Sequence, residues 1–572
     1  MTLSEFLAVY TKNDPVAGRA LNTTTDGGVD SLDDLLTKSD PAGGRAIKIS
    51  ISGGVTKFWT EAQGGTQTTS SWTATGAATN INAAIIPKGN GAIVAAIPDG
   101  TAVGGNARGT YAVDLQLVRS NQEKIASGPY SVITGGRSNR IHPQAPFYGE
   151  YCVISGGNAN DIVGGSGSFI GAGGSNSTGG GNNSVIVGGS TNTLSGSSNS
   201  AIVGGLSNTA SGSQSFIGGG YLSTASGSNA TVGGGYQNSA SNTGSGVAAG
   251  RQNTASGQYS FVGGGISNQA TFTYDTICGG DSNSLTGTNN SQNRFIGGGA
   301  QNGINAEQTN GSLIVGGLSN KIYRGAGSFI VGGGWGNGGV PNMVAATSSG
   351  ILGGAKNNIG RTSPALYPTG SLIGIGEANK ILSDASTIVN ASFSQVDEGK
   401  HYGYIENGQY VNTTLHGQKA RNSGSFANVL GDNQVHELIW RREVTGTAQT
   451  ELFLDGASIA AVLPGTNSVW NGIIDITSIC TTTGDGTTVV GHVSATAYKV
   501  TIKRIGTTTS LVGGVQEIGI TNADASMSTA VFTIDNNDTN ESLRVRFTPP
   551  STAGSTTVIR AVATFRGTQI KY

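Results

Sequence analysis

Residues 215–265 read SFIGGGYLSTASGSNATVGGGYQNSASNTGSGVAAGRQNTASGQYSFVGGG. Three residue types recur in this stretch, and just beyond it, at intervals of fifteen residues. One column is β-branched, one is alanine and one is glycine: Ile217, Val232, Val247, Val262 and Ile277; Ala210, Ala225, Ala240, Ala255 and Ala270; Gly220, Gly235, Gly250, Gly265 and Gly280. A period shared by three independent residue types is typical of a repeat architecture.

Each repeat has two parts that suit short strands. One part is an apolar piece that ends in glycines, such as Ser260–Gly265, and the other is Asn-x-Ala-Ser-Gly, such as Asn253–Gly257. Glycine and asparagine permit the positive φ of tight turns, so two strands and two turns make one coil of a parallel β-solenoid. Looser copies run from Val132 to Val389. At about 4.8 Å per coil, they predict a shaft of around 16 coils and roughly 75 Å.

The composition excludes several other classes of protein. Glycine contributes 95 of 572 residues without the regular third-position spacing of collagen. The net charge of −1 is untypical of disorder and gives no electrostatic basis for binding nucleic acid or an anionic membrane. The sequence contains no stretch of about 18 apolar residues, so it predicts no membrane span. Its N-terminus does not resemble a secretory signal. We therefore expect an all-β protein that is made in a cytoplasm, binds no nucleic acid and is not inserted in a membrane.

A single solenoid of this kind has a small core. Each coil offers two or three apolar side chains, which is little against a backbone entropy cost of about 1–2 kcal/mol per residue. Small residues elsewhere in the repeat allow a second surface to approach closely. Three chains side by side, each burying one face against the others, would supply the missing burial. The sequence therefore predicts a parallel homotrimer.

Different patterns flank the repeats. The first residues are more charged and contain helix-like pieces, whereas from about 435 the strands alternate with period two, as in Lys499–Ile505 and Val558–Phe565. Such alternation with intervening turn clusters predicts an antiparallel β-sandwich at the C-terminus. The predicted organisation is an attachment segment, a small β domain, the shaft, a transition segment and a C-terminal receptor-binding β domain: 1–45, 46–125, 126–400, 401–434 and 435–572.

Three stretches resemble known families. NTASGQYSFVGGG at 253–265 resembles the head repeats of trimeric autotransporter adhesins, which form left-handed parallel β-rolls in trimers. PKGNGAIVAAIPDGTAVGGNARGTYAVDLQL at 87–117, followed by ASGPYSVITGGRSNRI at 126–141, is similar to the start of such repeats in bacteriophage tail fibres. HELIWRREVTGTAQTELFLDGASIAAVLPGTNSVWNGIIDI at 436–476 resembles a β domain found at the distal tip of such fibres. Together they cover most of residues 80–572.

The resemblance implies an elongated, homotrimeric tail fibre with a left-handed β-roll shaft and a sandwich tip. It implies that the N-terminus binds baseplate or tail proteins, that the tip binds a host-surface glycan or outer-membrane receptor, and that the protein is a part of the virion. An autotransporter adhesin would need a signal peptide, a coiled-coil stalk and a membrane-anchoring barrel, none of which the sequence shows. A fibre of a contractile injection system and a bacterial adhesin stay open as alternatives.

The sequence argues against catalysis in most of the shaft. Cleavage of a polysaccharide normally needs two carboxylates, and there is no Asp, Glu or His between Ile162 and Tyr274, where Arg251 is the only basic residue. Acidic residues do occur at the tip, among them Asp455 and Asp535, but their pattern is typical of turns and surfaces. We therefore expect no enzyme, with a polysaccharide depolymerase as the alternative.

No metal or cofactor is expected either. Cys152, Cys278 and Cys480 are far apart, and the five histidines show no metal-ligand spacing.

Aromatic side chains are the usual platforms for sugars, so exposed tryptophans are the candidate receptor contacts. Trp440 lies beside Arg441 and Arg442, and Trp335 lies in an expanded glycine-rich turn of the shaft. We take Trp440, Arg441 and Trp335 as candidates for receptor binding. Trp470 is interpreted as a core residue.

Overall fold

A computed structural model of the chain describes residues 85 and 87–571, with gaps at 145–148, 288–291, 306–308, 335–339, 361–367, 423–429, 431–432, 463–466, 519–520 and 538. The described residues belong to one compact unit, Ile85–Tyr572. The predicted attachment segment, 1–45, and half of the predicted small β domain, 46–125, lie outside the described residues.

The described chain is an all-β protein whose main feature is a parallel β-solenoid of about 19 turns. Each regular coil contributes one strand to each of two parallel sheets, which we name the first and the second face. The strands of the first face are Ile93–Val94, Val113–Asp114, Val132–Ile133, Val153–Ile154, Phe169–Ile170, Val185–Ile186, Ala201–Ile202, Phe216–Ile217, Thr231–Val232, Gly246–Val247, Phe261–Val262, Thr276–Ile277, Phe295–Ile296, Leu313–Ile314, Phe329–Ile330, Gly350–Ile351, Leu372–Ile373, Gly376–Glu377, Thr387–Ser392, Tyr404–Gln409 and Lys419–Arg421.

The second face runs beside the first over most of this length. Its strands are Arg140–His142, Asp161–Val163, Ser177–Gly179, Thr193–Ser195, Thr209–Ala210, Thr224–Ala225, Ser239–Ala240, Thr254–Ala255, Gln269–Ala270, Ser284–Leu285, Gly303–Ile304, Lys321–Arg324, Met343–Ala345, Asn358–Gly360, Lys380–Ile381, Gln395–Val396 and Asn412–Thr413. Among the described residues the only helical turn is Ala525–Met527, and none of their helices is long and apolar enough to cross a membrane.

The interior of the solenoid is built from the columns that the repeat predicts. In the parallel register Val232 lies opposite Val247, and Ala240 lies opposite Ala255. All members of the β-branched and alanine columns are buried, so the predicted solenoid is confirmed. The stack is longer than predicted, because coils are already paired at Ile93–Val94 and are still paired at Lys419–Arg421.

A column of buried asparagines, which we name the asparagine ladder, joins successive coils. Asn253 Nδ2 donates to the carbonyls of Ala249 (3.1 Å) and Gly265 (2.9 Å). Its Oδ1 accepts from the backbone N–H (3.0 Å) and Nδ2 (3.1 Å) of Asn268 in the next coil. The ladder satisfies polar groups that water does not reach. Its members are Asn139, Asn160, Asn176, Asn192, Asn208, Asn238, Asn253, Asn268, Asn283, Asn302, Asn320, Asn342, Asn357 and Asn379.

The glycine column has a steric cause. Gly235 has a φ of +101°, and a Cβ there would lie 2.1 Å from the carbonyl oxygen of Gly250 in the next coil. The preceding Gly234 has open space, with its nearest atom 4.0 Å away. The backbone therefore requires glycine at Gly235 and not at Gly234, and the missing side chain of Gly235 allows adjacent coils to approach closely.

The tip after the solenoid consists of two antiparallel sheets. The large sheet has the order Asn433–Thr445, Val558–Lys571, Asn467–Thr482 and Val493–Ile505, and Thr508–Leu511, Gln516–Glu517 and Asn522–Ala523 pair with its last strand. The small sheet comprises Thr450–Leu452, Ala461–Val462, Val531–Asn537 and Ser542–Thr548. Both sheets contribute to one hydrophobic core that includes Trp440, Trp470, Phe547 and Phe565. Antiparallel strands were expected here, and the sandwich arrangement stays a prediction.

The solenoid passes into the tip without a break in hydrogen bonding. Lys419–Arg421, the last strand of the first face, pairs antiparallel with Asn433–Thr445 of the large sheet. Ala420 lies opposite His436, and both side chains are buried. The first face and the large sheet therefore form one continuous sheet.

Candidate receptor surface of the tip

The structure separates the three residues that the sequence suggests for receptor binding. Trp440 has no exposed surface and packs inside the tip core. Arg441 is exposed on the outer side of the large sheet, and Trp335 lies outside the described residues. The burial of Trp440 fits a packing role, so contact with a receptor stays a prediction for Arg441 and Trp335. Trp470 is a core residue, as interpreted, and its indole N–H donates to Gln569 Oε1 at 2.9 Å.

A different polar group occupies the outer side of the small sheet, which we name the small-sheet face. Arg544 forms a bidentate pair with Asp535, with Nε–Oδ1 and Nη2–Oδ2 distances of 2.7 and 2.9 Å. Arg546 bonds to the same carboxylate through its Nη2. The three side chains are between 26% and 29% exposed, so they are held in place and still open to solvent.

Gln449 extends this network across the sheet. Its Oε1 accepts from Arg546 Nη1 at 2.7 Å, and its Nε2 donates to Thr548 Oγ1 at 3.0 Å and to Thr533 Oγ1 at 3.4 Å. Guanidinium, amide and hydroxyl groups offer donors and acceptors in fixed directions. Because each group is already oriented by a neighbour, a polar ligand that binds here need not order these side chains, which lowers the entropic cost of binding.

The charge at this face is uneven. Burial raises the pKa of Glu451, and the nearby Asp535 adds to the effect while Arg544 opposes it. The hydrogen bond to Asp535 raises the pKa of Arg544. Arg442 donates to the Glu451 carbonyl at 3.0 Å and stacks over the Phe453 ring. The face therefore carries three arginines and two carboxylates. This excess of positive charge favours neutral or anionic ligands.

Other tip carboxylates hold turns together. Asp455 accepts from the backbone N–H groups of Ala457, Ser458 and Ile459. Burial pushes the pKa of Asp455 up, but these donors outweigh it and hold the pKa well below its usual range. Asp485 is bonded by Ser555 and Thr556, and the Ser555 hydroxyl is the main cause of its lowered pKa. These two carboxylates hold turns, the role that their sequence pattern predicts.

The small-sheet face could only partly have been found from the sequence. The hairpin of Val531–Asn537 with Ser542–Thr548 places Asp535 opposite Arg544, and this pairing can be inferred from the short turn between two alternating segments. Gln449 reaches the same place from about a hundred residues earlier, and nothing in the local sequence marks it. Among the residues that the structure describes, no group of three or more His, Cys, Asp or Glu could hold a metal ion.

Comparison with known proteins gives matches among solved structures. No protein-family model and no curated protein matches the sequence. Among solved structures, the chain is similar to the tailspike protein of Acinetobacter phage vB_ApiP_P1, with 11% identity and a TM-score of 0.22 over 72% of this chain and 82% of that chain. It is also similar to the tailspike protein of Acinetobacter baumannii phage AM24, with 10% identity and a TM-score of 0.18 over 76% of this chain and 78% of that chain.

Proposed function

We propose that the protein is a phage tail fibre that binds a glycan on the host surface through the small-sheet face of its tip. The observation that carries this proposal is the uninterrupted path from shaft to tip: a parallel stack of about 19 turns whose last first-face strand, Lys419–Arg421, pairs with the tip's large sheet. Such a stack is a stiff spacer, and a domain that continues its hydrogen bonding is held at its end. In this proposal the N-terminal region attaches the fibre to the baseplate or tail.

The outer side of the first face supports a homotrimer. Residues that flank the buried column there are apolar and exposed in many of the coils, although Thr231 and Gly246 take the place of phenylalanine in two of them: Val187, Val203, Phe216, Phe261, Val315, Val331 and Leu352. The equivalent positions of the second face carry hydroxyl groups over the regular section: Thr209, Ser211, Thr224, Ser226, Ser239, Ser241, Thr254 and Ser256. A long exposed apolar surface marks an interaction site. A second and a third copy carry the same surface at the same spacing, so three chains can cover it along its length.

The small-sheet face supports a saccharide as the ligand. Sugar hydroxyl groups are donors and acceptors together, and the network of Arg546, Gln449 and Asp535 offers both kinds of partner close together. A contact of this size is weak by itself. Three tips on each fibre, and several fibres on a particle, would multiply a weak contact into stable adsorption.

Binding to purified glycans tests this function. The full chain is incubated with capsular polysaccharides and lipopolysaccharides from a panel of bacterial strains, and both retention and glycan chain length are measured. We expect retention by at least one glycan with no change in its length. Shortened chains would favour the depolymerase instead, and an absence of retention across a broad panel would contradict the glycan as ligand.

A further inference from the structure

The outer side of the tip's large sheet, which we name the large-sheet face, has features of a contact between subunits. We propose that in the assembled fibre this face packs against the large-sheet faces of the other two copies and is closed to the receptor. The proposal rests on the homotrimer proposed above. It adds which side of the tip is internal, and therefore which side remains for binding.

The first support is the apolar character of this face. Antiparallel sheets that are solvated on one side normally carry polar residues there. Here six β-branched apolar side chains lie on the outer side, with exposed fractions from 38% to 44%: Val435, Ile439, Ile473, Ile479, Val562 and Ile570. An apolar surface of this extent on three neighbouring strands is typical of an interface.

The charges between these apolar groups are paired. Arg566 lies between Glu437 and Asp475 on the two neighbouring strands, with N–O distances of 3.7 and 3.8 Å. Arg560 Nε is 2.9 Å from Glu443 Oε2. With these ion pairs and the exposed Arg441, the first three strands of the face carry three acidic and three basic side chains, and Lys499 and Lys503 add two positive charges on the fourth strand. On the first three strands the surface is neutral with both signs interspersed, so it can face another copy of itself without net repulsion.

The continuity of this face with the shaft indicates that other copies of the chain cover it. In the pairing of the last coil with the tip, Lys419 lies opposite Glu437 and Arg421 lies opposite Val435, all on the outer side of the sheet. The large-sheet face is therefore the same side of the same sheet as the apolar outer side of the first face. Copies that cover the first face along the shaft reach the large-sheet face without changing sides.

One consequence concerns a residue singled out from the sequence. Arg441 lies opposite Val562, and Val562 lies opposite Thr477 on the next strand, in the middle of the large-sheet face. Arg441 is then a contact to a neighbouring copy and not to the receptor. The small-sheet face, on the other side of the tip core, stays open.

Thiol labelling of the assembled fibre tests this assignment. Cys278 is exposed and is first replaced by serine, whereas Cys152 and Cys480 are buried and are left in place. In that background Thr477→Cys puts a thiol on the large-sheet face and Thr533→Cys puts one on the small-sheet face. Thr477 is the more exposed of the two in the single chain. Maleimide labelling rates are measured by mass spectrometry, and the oligomeric state is measured by light scattering on the same samples.

In the assembled fibre the thiol at position 477 should react more slowly than the thiol at position 533, although Thr477 is the more exposed residue in the single chain. We expect a trimer in which Thr477→Cys reacts at least tenfold more slowly than Thr533→Cys, and in which both react quickly after denaturation. A trimer in which Thr477→Cys reacts as fast as Thr533→Cys would overturn this inference and leave the homotrimer intact. A monomeric wild-type chain would overturn the homotrimer itself. Thr564→Cys, on the central strand of the same face, repeats the test if Thr477→Cys prevents assembly.

Discussion

Within its regular section, the asparagine ladder has a gap at one coil. Ser223 stands where its neighbours have asparagine, and its backbone N–H still donates to Asn208 Oδ1 at 2.9 Å. Its own hydroxyl is buried and makes no hydrogen bond. The side-chain oxygen that would accept from the N–H of Asn238 in the next coil is missing. The ladder therefore predicts that this coil is weaker than those around it.

Ser223→Asn should close the gap. By the geometry of the other coils, the new amide would donate to the carbonyls of Gly219 and Gly235, and its oxygen would accept from the N–H of Asn238. Each hydrogen bond contributes about 0.5–1.5 kcal/mol net, and ordering the longer side chain costs part of this. We expect a local stabilisation of about 1–3 kcal/mol.

The reverse change serves as the matched control. Asn253→Ser removes two donated bonds, to Ala249 and Gly265, and leaves the N–H of Asn268 without its acceptor. Leaving a buried polar group unpaired costs about 1–3 kcal/mol. We expect a local destabilisation of about 3–5 kcal/mol.

Hydrogen–deuterium exchange read by mass spectrometry can follow both variants, because repeat proteins open locally. A change of 1.4 kcal/mol corresponds to about a tenfold change in the exchange rate. Ser223→Asn should slow exchange around residues 216–240, and Asn253→Ser should accelerate it around residues 246–270. Unchanged exchange in both segments would refute the role given to the ladder.

Three further changes probe other parts of the fold. Gly235→Ala places a Cβ 2.1 Å from a carbonyl oxygen on a backbone with a φ of +101°, so it should lower the free energy of unfolding by about 2–4 kcal/mol. Gly234→Ala should have little effect, and resistance to proteolysis compares the two variants. Burial lowers the pKa of His436 from 6.5 to about 3 in the folded tip. Between these pH values the unfolded chain binds a proton that the folded tip does not. The free energy of unfolding of the tip should therefore fall by roughly 1.4 kcal/mol per pH unit as the pH falls. Urea unfolding of His436→Gln should lack this pH dependence. Asp275 and Arg294 form a buried ion pair, so Asp275→Ala should lower the free energy of unfolding by about 3–5 kcal/mol because it leaves the guanidinium unpaired. Replacing both residues by leucine should cost less stability, and thermal unfolding compares the two variants.

The regular part of the fold could be predicted because each coil repeats the same physical problem. Small residues and one inward β-branched side chain recur every fifteen residues, and these columns are the ones that the structure buries. The extra coils at the start were missed because their interior is different. Asp114 points inward there and is paired with Arg108 and Arg119, so the apolar periodicity on which the prediction depends is absent.

The candidate site was harder to predict because it depends on tertiary pairing. Period-two alternation could have placed Trp440 and Arg441 on opposite sides of their strand, but it could not say which side faces the core. The small-sheet face brings together Gln449, Asp535 and Arg546, which only strand pairing makes neighbours. A local pattern cannot contain that information.

The most direct measurement is the effect of one arginine on glycan binding by the full chain. Arg546→Ala removes the centre of the small-sheet network, whereas Lys380→Ala removes an exposed cation from the second face of the shaft. Binding of both variants is measured by surface plasmon resonance on the polysaccharide that retains the wild-type chain. We predict at least a tenfold loss of affinity for Arg546→Ala and wild-type affinity for Lys380→Ala. Wild-type affinity for Arg546→Ala would contradict the assignment of the small-sheet face as the receptor-binding surface.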